Sequence, residues 1–155
     1  MVKQAPASQP ENQTLIIFTD GGARGNPGRA GIGIVFKIEA QGASGELQTQ
    51  TIAKIKKYIG EHTNNFAEYA ALIAALEKAA ELGYSRAQCH LDSELVVRQL
   101  NGQYKIKEPN IKLLAQRALA LAGKFKSITF SHVPREKNSE ADALVNQALD
   151  ESFIA

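Results

Sequence analysis

Two rhythms of apolar residues succeed one another along the chain. After a polar start, Leu15-Ile16-Ile17-Phe18-Thr19 is a short continuous apolar run, the pattern of a strand buried on both faces. It stops at Asp20-Gly21-Gly22, where five glycines (Gly21, Gly22, Gly25, Gly28 and Gly31) and Pro27 predict a turn-rich connector. Ile32–Ile38 then sets Ile34, Phe36 and Ile38 on one face, and Gly42–Gly45 marks another turn. Leu47–Ile59 alternates again, Thr49, Thr51, Ala53 and Ile55 against Gln50, Ile52, Lys54 and Lys56. Three antiparallel strands joined by short turns are expected.

Beyond Ile59 the period lengthens. Phe66, Tyr69, Leu72, Ile73, Leu76, Ala79 and Ala80 follow helical spacing, and the run ends at Gly83. Ala87–Leu91 reads as a strand reaching Asp92, and Ser93–Leu100 as a short helix stopped by Asn101-Gly102. Pro109 opens a helix over Asn110–Ala122 that Gly123 closes. Ser127–Val133 is a last strand and Ser139–Leu149 a last helix. The order βββαβααβα predicts an α/β (mixed α+β) fold, a mixed sheet with helices packed on its faces.

Composition narrows the class. The 155 residues, 44% hydrophobic and 22% charged, fit one globular domain and exclude collagen-like or largely disordered chains. The single cysteine, Cys89, allows no internal disulfide and points to a reducing compartment. Glu68, Glu77, Lys78 and Glu81 interrupt the longest apolar stretches, so no membrane span is expected. Residues 1–13 read as a flexible polar arm without a secretory signal, 14–150 as the domain and 151–155 as a tail. The expectation is a cytoplasmic monomer. Net charge is only +2, but Arg98–Lys137 holds nine basic residues against two acidic ones, and Lys54, Lys56 and Lys57 form a second knot. Such clustering suits a phosphate backbone, although a charge run by itself is more often a solvated face.

Four carboxylates stand at the mouths of elements, where sites gather in sheets covered by helices. Asp20 ends the first strand, Glu68 lies in the first turn of the long helix, Asp92 ends the fourth strand and Asp142 lies early in the last helix. Each has a local role open to it. Asp20 suits a turn, Asn65-Phe66-Ala67-Glu68 a capping box, Asp92 a cap for the helix at Ser93, and Asp142 the positive end of its helix. Against these, Asp20, Glu68 and Asp92 have no lysine or arginine within three positions. Converging anions in apolar surroundings need counter-charge to stay ionised, and hard divalent cations supply it through oxygen ligands.

Phe18-Thr19-Asp20-Gly21-Gly22-Ala23-Arg24-Gly25-Asn26-Pro27-Gly28, Thr63-Asn64-Asn65-Phe66-Ala67-Glu68-Tyr69, Leu91-Asp92-Ser93 and the run His132–Leu144 resemble, in order, the motifs of type 1 ribonuclease H. The likeness runs from about Leu15 to Leu149. It implies the ribonuclease H-like fold, a five-stranded mixed sheet with its first three strands antiparallel and helices on both faces. It further implies an endoribonuclease that cuts the RNA strand of an RNA/DNA hybrid duplex, using two Mg²⁺ ions that Mn²⁺ replaces, and leaves 5′-phosphate and 3′-hydroxyl ends. On that resemblance Asp20, Glu68, Asp92 and Asp142 are the metal ligands. Asp20 bridges both ions, Glu68 and Asp92 complete one coordination sphere, and Asp142 completes the other. His132, ten residues before Asp142, assists proton transfer or product release from a mobile loop. Thr63 holds a DNA-strand phosphate, and Asn64 and Asn65 meet the minor groove. Gly21 and Gly22 let the backbone approach the RNA strand, and Asn26 and Ser93 join the binding set.

The chain departs from the family pattern in two places. It has no tryptophan, and the stretch matching the family's Trp-containing basic protrusion is short, leaving Tyr104, Lys105 and Lys107 to grip the hybrid in part. The arm holds one base, Lys3, and no aromatic residue, so no separate hybrid-binding module is expected there. Two rivals stay open on these residues: a non-catalytic binding module of the same fold, and a related nuclease for double-stranded RNA.

Overall fold

The computed structural model describes residues 10–152. The chain runs β1 (Thr14–Arg24), β2 (Gly28–Gln41), β3 (Leu47–His62), α1 (Asn64–Glu81), β4 (Arg86–Leu91), α2 (Glu94–Leu100), α3 (Pro109–Ala122), β5 (Ser127–His132) and α4 (Ser139–Glu151). The strands form one sheet in the order β3-β2-β1-β4-β5. β1, β2 and β3 are antiparallel neighbours, whereas β4 lies parallel to β1 and β5 parallel to β4. This is the mixed architecture the element order predicts. Most of the expected arm and tail lies outside the described residues. Within the arm, Pro10–Asn12 form a 3-10 turn, and the Ser85 hydroxyl donates to the Glu11 carbonyl at 3.3 Å.

Side-chain alternation along the strands divides the molecule into two layers. Leu15 and Ile17 of β1 and Ile34 and Phe36 of β2 meet Tyr69, Leu72 and Leu76 of α1 and Ile111 and Ala115 of α3 in one core. Each large apolar side chain fully buried there contributes on the order of 1.5–3 kcal/mol. The opposite face carries α4, whose Ala141, Leu144, Val145 and Leu149 lie over Gly22, Gly31 and Gly33. A Cβ on Gly33 would overlap the Ala141 carbonyl oxygen, so the bare strand lets helix backbone approach sheet backbone.

The same economy corrects the expected connector at Gly21–Gly28. β1 does not stop at Asp20: Gly21 pairs with Ile32, Gly22 with Gly31 and Ala23 with Ala30, and the turn is confined to Gly25–Pro27. Gly25 takes φ +98°, which only glycine adopts readily. Gly21 is there for a different reason, since a Cβ at that point would overlap the Ala67 carbonyl of α1.

Among the described residues no helix is long and apolar enough to cross a membrane. Cys89 is buried on β4, and burial pushes its thiol up to about 12. Native protein at pH 8 is therefore expected to resist iodoacetamide at Cys89 and to be labelled rapidly in denaturant, as peptide mass spectrometry would read.

Candidate active site

The pairing of β1 with β4 ends at Thr19 opposite Leu91. The residues that follow, Asp20 within β1 and Asp92 just past the end of β4, therefore stand side by side where the parallel pairing stops. Glu68 reaches them from α1, which the missing side chain of Gly21 admits so close to β1. Asp142 comes from the first turn of α4, on the opposite layer. Four separate elements thus open onto one cavity of about 390 Å³, which Asn64, Ser93 and Arg135 also line.

One carboxylate oxygen from each of Asp20, Glu68 and Asp92 lies within 4.8 Å of the others. Asp20 and Glu68 are each only 8% exposed. Burial, then the charges of Asp92 and Asp142, then a hydrogen bond with Asp142 push the Asp20 carboxyl up to about 8. Burial, followed by the Asp20 and Asp92 charges, holds Glu68 well above the usual carboxylate range, and Arg135 opposes this in part. The Glu68 Oε2 atom is buried without a hydrogen-bond partner among the described residues. An orphaned carboxylate oxygen beside two other acids is the donor set a hard divalent cation takes. The residues present fit such an ion.

The capping roles open to Glu68 and Asp92 are filled by other residues, while Asp142 does lie in the first turn of its helix. Thr63, not Asn65, caps α1, its Oγ1 accepting from the Phe66 N–H at 3.2 Å, so Glu68 falls in the second turn and not at the third capping-box position. Ser93 caps α2 through the Val96 N–H at 3.2 Å. Asp92 is left free of that task, and its Oδ2 accepts from Asn138 Nδ2 at 3.1 Å. Asp142 accepts from Asn146 Nδ2 one helical turn on, at 3.4 Å.

The other expected residues divide into groups. Gly21, Gly22, Asn64, Asn65 and Ser93 line the acid cavity. Asn26 stays in the turn and stitches it to α1: its Oδ1 accepts from the Asn64 N–H at 3.0 Å, while Asn64 Oδ1 accepts from the Ala23 N–H at 2.8 Å. Lys105 and Lys107 line a neighbouring cavity of about 180 Å³ that shares Asn65 with the first. Tyr104 is exposed, with the Arg98 guanidinium 5.4 Å above its ring. His132 is not in a loop but is the last residue of β5, paired with Leu91, exposed and outside the lining of the acid cavity. Parts of the basic clusters are committed elsewhere: Arg98 pairs with Glu94, Arg117 with Glu77 and Lys56 with Glu151.

Reading the sequence missed Arg135 and Asn138. Arg135 entered it only as one member of a basic stretch, and Asn138 as a letter in the run from His132. Their offsets of three and six residues from His132 were the available signal.

Comparison with known proteins gives the family. Residues 18–148 match the reverse transcriptase-like family. The chain is 43% identical over 136 residues to a bifunctional protein of Mycobacterium tuberculosis, covering 88% of this chain and 35% of that one. It is 42% identical over 135 residues to the ribonuclease HI of Halobacterium salinarum, covering 87% of this chain and 64% of the relative. The chain thus spans about a third of the mycobacterial relative and under two thirds of the halobacterial one. The structure of LC11-RNase H1 in complex with an RNA/DNA hybrid superposes with a TM-score of 0.78 at 44% identity, covering 90% of this chain and 99% of that one. Fold and sequence together place this chain in the type 1 ribonuclease H family, within the wider reverse transcriptase-like group.

Proposed function

We propose that residues 14–150 form an endoribonuclease domain that cuts the RNA strand of an RNA/DNA hybrid, acting as a monomer in the cytoplasm. The observation that carries this is the convergence of Asp20, Glu68 and Asp92 on an open cleft, with a buried Glu68 oxygen left without a partner among the described residues. Asp20, Glu68 and Asp92 would hold one divalent cation, and Asp20 with Asp142 a second. Mg²⁺, or Mn²⁺ in its place, would supply an acidified water and counter-charge for the phosphate, giving 5′-phosphate and 3′-hydroxyl products.

The chain's own groups do the rest. Asn64, Asn65 and Ser93 present polar atoms along the rim of the cleft, where 2′-hydroxyls and base edges of a hybrid are read. Thr63 offers a contact to the DNA strand without giving up its cap. Gly21 and Gly22 expose backbone to the RNA strand. Lys105 and Lys107, with Tyr104 beside them, draw the backbone by charge, so affinity falls steeply with salt. His132, at the end of β5, serves product departure from outside the acid cavity.

The test is a gel assay of end-labelled RNA as hybrid, single strand, RNA duplex and a lone ribonucleotide in DNA, each with Mg²⁺ and with EDTA. Cutting confined to the hybrid and lost in EDTA is the expected result. Protein that binds the hybrid yet leaves it intact in every metal condition would be a binding module, and preferential cutting of RNA duplex would reassign the substrate.

A further inference from the structure

The four acids come from four elements, and one residue touches the supports of three of them. Asn138 is the N-cap residue of α4, yet its side chain makes no capping bond to that helix. An asparagine at this position ordinarily accepts from an N–H two or three residues on, which stabilises the helix. Instead its Nδ2 turns inward and donates to the Thr19 carbonyl at 2.9 Å and to Asp92 Oδ2 at 3.1 Å. Its own carbonyl accepts from the Asp142 N–H at 3.1 Å. Asn138 thereby ties the backbone just before Asp20, the carboxylate of Asp92 and the helical turn that carries Asp142.

This arrangement is costly as architecture. Asn138 is 1% exposed, and its Oδ1 has no partner among the described residues. A buried acceptor without a donor forfeits its hydration with nothing in return. A residue selected only to start a helix would turn Oδ1 to the helix and avoid that cost. The chemistry of the amide explains the choice: two N–H donors on one uncharged group serve a carbonyl and a carboxylate together. Aspartate has the same shape, no donor, and a further negative charge beside the cluster.

We infer that Asn138 is a positioning residue that fixes the orientation of the Asp92 carboxylate relative to Asp20 and Asp142. The inference rests on the reading of Asp92 as a ligand for a divalent cation. Groups that hold a ligating carboxylate in place govern metal affinity as well as rate.

The test uses the full chain and Mn²⁺ alone as the calorimetric probe, followed by hybrid cleavage at rising Mn²⁺. Asn138→Ala is expected to weaken Mn²⁺ binding about tenfold or more. In an Asp92→Asn background the same change should shift affinity less than about twofold, because the group it acts through is gone. Cleavage by Asn138→Ala at limiting Mn²⁺ should fall and then recover as Mn²⁺ is raised. Unchanged Mn²⁺ affinity, or an equal loss in both backgrounds, overturns the assignment and leaves a purely structural role. Should Asn138→Ala fail to fold, the wild-type side-chain amide decides by NMR. Its ¹⁵N–H signals are expected to shift as Mg²⁺ is added, and signals unmoved at saturation overturn the inference. Wild-type protein that binds Mn²⁺ with this dependence but leaves the hybrid uncut defeats the nuclease reading alone.

Discussion

Asp20→Asn is expected to lower Mg²⁺-dependent hybrid cleavage roughly 10³-fold or more while making the metal-free protein more stable. Both effects have one cause. Asp20 is buried beside Asp92 and Asp142, and its carboxyl is pushed up to about 8. A group whose folded pKa lies above its unfolded value stabilises the fold below the unfolded pKa, and loses that contribution as pH rises through the folded one. For Asp20 the window runs from about 4 to about 8, and Glu68, displaced in the same direction, adds to it. In EDTA the wild type should therefore weaken as pH climbs across this range. The substituted amide carries no charge to be repelled, so the variant should exceed the wild type by about 2 kcal/mol at pH 8, or roughly 4–8 °C in Tm, and match it near pH 4. Added Mg²⁺ should close the gap at pH 8 by stabilising the wild type more. A variant that cuts normally, or a Tm gap independent of pH, would sink the assignment of Asp20 as a shared ligand.

Gly21→Ala is expected to destabilise the protein by about 3 kcal/mol, a loss of roughly 6–12 °C in Tm. The new Cβ would overlap the Ala67 carbonyl and lie 2.6 Å from the Glu68 nitrogen. Neither partner yields easily, because β1 is paired with Ile32 on one side and α1 is a helix of 18 residues packed on the core. Relief requires the start of α1 to move away, which carries Glu68 from Asp20 and costs activity beyond the loss of folded protein. Gly22→Ala is the control: its Cβ would meet only Val145 Cγ1 at 3.8 Å, an ordinary contact. Thermal melts and cleavage rates on the two variants, side by side, separate steric intrusion from any general effect of removing a glycine.

The same glycines explain where reading the sequence succeeds and where it stops. Ile34 and Phe36 of β2, or Leu72, Ile73 and Leu76 of α1, announce their elements because buried side chains repeat with the period of the backbone. Gly21, Gly31 and Gly33 announce nothing of the kind, since what the sheet needs from them is the absence of a side chain. A run of glycines within β1 therefore reads as a turn. The four acids stand out by their place at the mouths of elements and by the family resemblance, and three of them by the lack of local counter-charge, but their gathering depends on pairings that no local window contains. Asp92 is freed from capping by Ser93, and Glu68 is displaced from the capping box by Thr63. His132 stays outside the cavity because β5 holds it in register with Leu91. Asn138 serves β1, the end of β4 and α4 at once, and its bonds to the first two lie outside any local window.

The bonds that close the cleft differ widely in the length of chain they span. Asn138 joins Thr19 across 119 positions, and Arg29 reaches the Leu149 carbonyl across 120. The turn between β1 and β2 spans only Gly25–Pro27, so the pairing that holds Asp20 is local in the chain. Synthesis proceeds from the amino end, which adds Glu68 and Asp92 in turn and leaves the glycine-lined face of β2 bare until α4 is made. An unfinished copy therefore holds three acids, with neither Asp142 nor the amide that orients Asp92. The last acid of the cleft thus arrives with the same helix that covers the glycine-lined face of the sheet.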